Sequence, residues 1–115
     1  MLEWQWTENT GAILEAITQA ASSAGVKIAL EAHPGFSVYN PETLLKLRNV
    51  SGGAIGINLD PSHLWWQGVD IPIAIRDLGV AIYHFHAKNV AIDSANRSRN
   101  SVLDTKSYRQ MDARS

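Results

Sequence analysis

Cysteine is absent from this 115-residue chain, so neither a disulfide framework nor a thiolate metal site is open to it. Charge is sparse as well. Asp, Glu, Lys and Arg make up 18 % and the formal net charge is −1, which argues against a general binder of nucleic acid or of membrane surfaces. No apolar run approaches the ~20 residues of a membrane span, and the opening Met1-Leu2-Glu3-Trp4 lacks the pattern of a signal peptide. A soluble, cytoplasmic protein is the expectation. Glutamate runs out early, for none follows Glu42. What is abundant is apolar: 45 % of residues are hydrophobic, which excludes a disordered chain and suits one globular domain. The little charge there is falls unevenly. From Lys88 onward six Lys or Arg stand against three Asp; before it, four stand against eight Asp and Glu. The basic end suits either an anionic ligand or a solvated tail.

Helical and aliphatic stretches alternate along the chain. The apolar period from Ile13 to Ala24 predicts a helix over Glu8 to Ala24, with Thr7 or Asn9 as its cap and Gly25 as its stop. Before it, Trp4 and Trp6 either alternate on an edge or pack under that helix. Val26 to Ala32 reads as a short buried strand that stops at the turn His33-Pro34-Gly35. Asn40-Pro41-Glu42-Thr43 opens a second helix with a cap, a proline at the first position and an acid in the first turn. A second strand, Ala54 to Leu59, halts at Asp60-Pro61, since proline cannot donate to a ladder and disfavours helical geometry in the residue before it. Leu64 to Gly68 is an aromatic loop or a single turn. Asp70 caps a third helix, about Ile71 to Leu78, and Val80 to Ala87 is a third strand. Short helices between aliphatic strands imply a parallel sheet with helices packed outside it. Val90 to Ser115 shows no strand or helix pattern. About 25 such residues are too many for a compact domain, so this stretch is either an active-site loop or a disordered tail.

The strands end in residues of one chemical kind. Glu31, Asp60 and the His86–Lys88 segment recur about every 27–29 residues, the spacing of successive β/α units. In a parallel sheet they share the edge where ligands bind. Two carboxylates and an imidazole form an oxygen and nitrogen donor set for Mn²⁺, Mg²⁺, Co²⁺ or Zn²⁺. Three protein ligands with positions left open make a catalytic site, able to polarise a carbonyl and stabilise an enediolate. His84 shares the face of His86, because alternate strand residues point the same way. It is expected one layer deeper, as a hydrogen-bonded structural histidine. Trp65 and Trp66 either stack on a ligand ring or cover the mouth of the site.

The segments Leu30-Glu31-Ala32-His33-Pro34-Gly35, Asn58-Leu59-Asp60-Pro61-Ser62-His63 and Ile82-Tyr83-His84-Phe85-His86-Ala87-Lys88-Asn89 together resemble the sugar phosphate isomerase/epimerase family, the xylose isomerase-like (β/α)8 barrels. The resemblance runs over about residues 8–108. It implies that Glu31, Asp60 and His86 ligate a divalent metal ion, and that Glu31 also acts as acid/base on a substrate carbon. His63 is similar to the histidine that contacts substrate oxygens beside the metal. Lys88 resembles a lysine that neutralises oxyanion charge, and His33 either lines the substrate pocket or packs its loop. Two departures stand out. Asn89 occupies a place where the family has Asp, and the family's fourth metal ligand, a glutamate on the following strand, has no counterpart after Glu42. The stretch from Val102 to Tyr108 looks like the loop before that strand.

The resemblance therefore implies a partial (β/α)8 TIM barrel of about three parallel β/α units over residues 1–115. It would be a piece of a sugar or sugar-phosphate isomerase or epimerase, inactive as it stands because two-base epimerisation lacks its second carboxylate. The same barrel also hosts metal-dependent lyases, dehydratases and endonucleases. A non-catalytic half-barrel that binds ligand or forms a homo-oligomer through its open sheet edges is the reading from another class. The expected partner is a small sugar or sugar phosphate, not nucleic acid and not a membrane.

Overall fold

The computed structural model describes residues 4–103. The chain enters it through a π-helical turn, Gln5–Thr10, that runs directly into helix α1, Gly11–Ser23. The expected start at Glu8 with a Thr7 or Asn9 cap is too late: the helical path begins at Gln5 and no side chain caps it. Burial of Trp6 accounts for the early start. Its indole is 4 % exposed and packs with Leu14, Leu47 and Ile55, so apolar contact holds this helix end where a polar cap is missing. Gly25 then takes the left-handed turn (φ 68°) that ends the helix.

Three strands follow, each preceded by a helix: β1 Ile28–Glu31, β2 Ile55–Leu59 and β3 Ile82–Phe85. They form one open parallel sheet in the order β1-β2-β3. Helix α2, Pro41–Val50, starts where the sequence places it. Asn40 Oδ1 accepts from the Thr43 amide at 2.9 Å, and Thr43 Oγ1 accepts from the Asn40 amide at 3.1 Å. Past β2 comes the single turn α3, Pro61–Trp65, and then α4, Ile71–Leu78, capped by Asp70 accepting from the Ile73 amide at 2.9 Å. The residues Gly79–Ala81 coil into a 3-10 turn, so β3 begins two residues later than the apolar run suggests and Val80 is left 94 % exposed.

The core lies on one side of the sheet. Ile57 and Leu59 of β2 pack with Leu44 of α2, Leu64 of α3, and Ala74 and Leu78 of α4. Strand side chains alternate between faces, so Gly56, Asn58 and the following Asp60 take the opposite face, as do Ala29 and Glu31 of β1. This is the arrangement of part of a parallel β/α barrel, with helices outside and the polar strand ends on the inner face. Between β2 and β3 the register slips: Ile57 pairs with Ile82, but Asn58 pairs with His84, leaving Tyr83 as an extra residue. Tyr83 lies over Gly56, where any side chain would overlap its ring.

The stretch after Asn89 departs from the sequence reading. A helix, α5, spans Ser94–Asn100, with Asp93 Oδ1 accepting from the Asn96 amide at 2.8 Å. It buries no residue, which is why no apolar period betrays it: its cap alone marks it. The rest of the expected tail, residues 104–115, lies outside the described residues. No helix among the described residues is long and apolar enough to cross a membrane.

Candidate metal centre

The inner-face parity of β1 and β2 brings two side chains together before any loop takes part. Glu31 and Asn58 are register partners, and Asn58 Nδ2 donates to Glu31 Oε2 at 2.6 Å. One residue past β2, Asp60 serves as the N-cap of α3: its Oδ1 accepts from the Ser62 amide at 3.0 Å and from the Ser62 hydroxyl at 2.6 Å. The single helical turn carries His63 back over the strand ends. His63 Nε2 lies 3.1 Å from Glu31 Oε1 and 3.5 Å from Asp60 Oδ2. Carboxylates only accept, so in this arrangement Nε2–H is the donor.

His86 reaches the same carboxylate from the other side. Its amide donates to the Leu59 carbonyl at 2.9 Å, one step beyond the last residue of β3. Its Nδ1 then stands 2.9 Å from Glu31 Oε2 and 3.3 Å from Asn58 Nδ2. Glu31 is thus the hub: His63 approaches one oxygen, while Asn58 and His86 approach the other. Lys88, two residues on, sets its Nζ 2.6 Å from Asp60 Oδ2.

Asp60 is the one buried charged residue among the described residues, at 3 % exposure. Burial by itself pushes its carboxyl up. The Lys88 ammonium, the two Ser62 donors and His63 together outweigh that push and hold its pKa at about 2, below the ordinary 3.8. The same contact raises Lys88, chiefly through its hydrogen bond to Asp60. Lys88 remains about half exposed, with 53 % of its side chain in solvent.

Among the described residues, the group whose ligand atoms all fall within 4.8 Å of one another is Glu31, Asp60 and His63. Neighbouring donors around one divalent ion are about 3–3.5 Å apart when each bond is about 2.0–2.2 Å, and the 3.1 and 3.5 Å separations at His63 match that span. Two carboxylates and an imidazole also suit a hard or borderline divalent ion. The donor set therefore fits such an ion. His86 meets this triad through Glu31 and is not one of its three members.

The remaining candidates sit around this centre. His33 donates Nδ1–H to the Pro34 carbonyl at 2.8 Å, and its ring lies 4.4 Å from that of His63, so it braces the His63 imidazole. A cavity of about 340 Å³ opens beside Glu31, lined by Leu30, His33, Phe36 and Val38. A second hollow, about 230 Å³, is lined by Ser62, Trp65, Lys88 and Asn89. Trp66 lines a separate groove with Phe36 and Tyr39. His84 is exposed on the inner face, edge-on to His86 at 5.1 Å between ring centroids, rather than hydrogen-bonded in a deeper layer. Asn58 is the residue that motif reading passes over. The available signal was its parity with Asp60, which places both on the face that carries Glu31.

Comparison with known proteins agrees with this architecture. A family model described as xylose isomerase-like TIM barrel matches residues 3–110. The uncharacterized protein YfiH of Bacillus subtilis (strain 168) is 46 % identical over 107 residues, a match that takes in 92 % of this chain and 34 % of that protein. The chain thus spans about a third of the length of that curated relative.

Proposed function

Since the chain belongs to the xylose isomerase-like TIM barrel family, we propose that it carries the metal-binding part of a divalent-metal-dependent sugar or sugar-phosphate isomerase or epimerase. The observation behind this reading is the closing of Glu31, Asp60 and His63 to within 4.8 Å on the inner face of a parallel sheet, with His86 against Glu31. Mn²⁺, Mg²⁺, Co²⁺ or Zn²⁺ bound there supplies Lewis-acid polarisation of a substrate carbonyl. Glu31, Asp60 and His63 hold the ion in this reading, and His86 either joins them or orients Glu31. Glu31 takes the proton from the carbon beside the carbonyl. Lys88 meets substrate oxygens, and the cavity beside Glu31, with His33 on its wall, receives the carbon chain.

Glu31 is the one base that this reading assigns. No glutamate follows Glu42, so the family's second, opposed glutamate is not among these residues, and we propose that inversion by these 115 residues alone is weak or nil. A cytoplasmic location, and self-association through the open edges of β1 and β3, belong to the same proposal.

The test is a Mn²⁺ titration followed calorimetrically, coupled to an NMR assay of solvent deuterium uptake at the carbon next to the carbonyl across a panel of ketoses and their phosphates. The wild-type chain is expected to bind one equivalent of Mn²⁺, and Glu31→Gln to lose at least about tenfold in affinity. Deuterium uptake that requires both the metal and Glu31 establishes the proton transfer. A wild-type chain that binds no divalent ion overturns the reading. Product formation by loss of water or by carbon–carbon cleavage would instead assign a dehydratase or lyase.

A further inference from the structure

Asp60 puts its two oxygens to different uses. Oδ1 is taken by the Ser62 amide and hydroxyl. Oδ2 alone faces the site, 3.5 Å from His63 Nε2, and on it sits the Lys88 ammonium at 2.6 Å. A cation held by Glu31, Asp60 and His63 has to use Oδ2, the oxygen that already carries Lys88. We infer that Lys88 is a tethered counter-cation: it holds Asp60 Oδ2 in the metal-free chain, gives it up when a divalent ion binds, and turns into the adjoining hollow to meet an anionic group of the substrate.

Three observations carry this. Asp60 is 3 % exposed, and a buried carboxylate with no positive partner is strongly unfavourable, so the metal-free site needs a cation of its own. Lys88 supplies it from an irregular segment and keeps 53 % of its side chain in solvent, so its ammonium can leave Asp60 without crossing protein. Lys88 also lines the 230 Å³ hollow with Ser62, Trp65 and Asn89, which gives the departing ammonium a place to meet an anionic group. An ammonium and a divalent ion on one oxygen would stand far inside the ~8 Å over which charges act at physiological ionic strength. Their repulsion makes the two occupants alternatives.

The inference rests on the metal reading above, and one experiment separates the two. Mn²⁺ is titrated into the wild-type chain and into Lys88→Met, with circular dichroism confirming the fold of each. A counter-cation that competes predicts about tenfold tighter Mn²⁺ binding by Lys88→Met. A lysine that stays to orient Asp60 predicts the opposite sign, about 10- to 100-fold weaker binding. Equal or weaker binding overturns the inference and leaves the metal site standing; absence of Mn²⁺ binding by the wild type removes the metal reading and the inference with it. Should Lys88→Met fail to fold, the unaltered chain decides. Acetylation of Lys88 by an N-hydroxysuccinimide ester is followed by mass spectrometry, with Lys27 and Lys46 as internal references. Mn²⁺ is expected to raise the Lys88 rate several-fold, and an unchanged or slower rate overturns the inference.

Discussion

The two seams of the sheet are built differently, and the candidate centre straddles them. Between β1 and β2 the register runs without a break from Ile28 opposite Ile55 to Glu31 opposite Asn58. Between β2 and β3 it slips after Ile57, and Tyr83 becomes an extra residue. The regular seam puts a carboxylate beside an amide. The bulged seam does something a regular one cannot. Had the register continued, Asn58 would pair with Tyr83, and His84 and His86 would turn toward the helices. The slip swaps that parity and delivers both histidines to the face of Glu31. A regular ladder fixes neighbours; a bulge chooses which side chains those neighbours meet.

The largest expected effect comes from attacking the bulged seam. Gly56 lies beneath the Tyr83 ring with no room for a Cβ, so Gly56→Val is expected to lose about 3 kcal/mol of stability in urea denaturation. Adding Tyr83→Ala to that variant should recover about half of the loss. No recovery would mean that the ring does not set the seam. The regular seam is tested at Asn58. Asn58→Leu keeps the branched shape but removes the donor to Glu31 Oε2, and is expected to weaken Mn²⁺ binding about 10- to 100-fold with the fold intact. Unchanged affinity would reduce the Glu31–Asn58 contact to a bystander.

The smallest effect belongs to the segment beyond both seams. With Lys88 and Ser62 on its carboxylate, Asp60 has a pKa of about 2 against an ordinary 3.8. Its contribution to stability is therefore complete above the ordinary value and is lost as pH falls through the interval down to the folded one. Urea denaturation from about pH 5 to about pH 2 should show a loss of about 1–2 kcal/mol that Asp60→Asn lacks, less than the full shift implies because Lys88 is half exposed. A parallel decline in both proteins would show that other carboxylates govern acid unfolding.

Much of this was legible in the residues. Asp60-Pro61 stopped β2 where expected, Asn40-Pro41 opened α2, and the acid and imidazole side chains at strand ends do share one edge. The early helix start was not legible, because it depends on Trp6 finding Leu14, Leu47 and Ile55, contacts that span some fifty residues of chain. Helix α5 was hidden because it buries nothing. The centre itself was legible as chemistry but not as geometry. Strand-end spacing points to Glu31, Asp60 and His86, whereas the close triad takes His63, which a single helical turn after Pro61 folds back over Asp60. That turn looks like loop in the sequence, since five residues are too few to show a period. The bulge at Tyr83 leaves no signature beyond a glycine in the neighbouring strand.

The bond from the His86 amide to the Leu59 carbonyl has a dynamic consequence. It extends the ladder one rung past β3, so fraying of that strand's end cannot proceed without releasing His86 from Glu31. The zipped sheet and the assembled centre are in this sense a single state. Proton exchange at the His86 amide would then report on the integrity of the centre directly, and its protection would measure how often the edge breathes open.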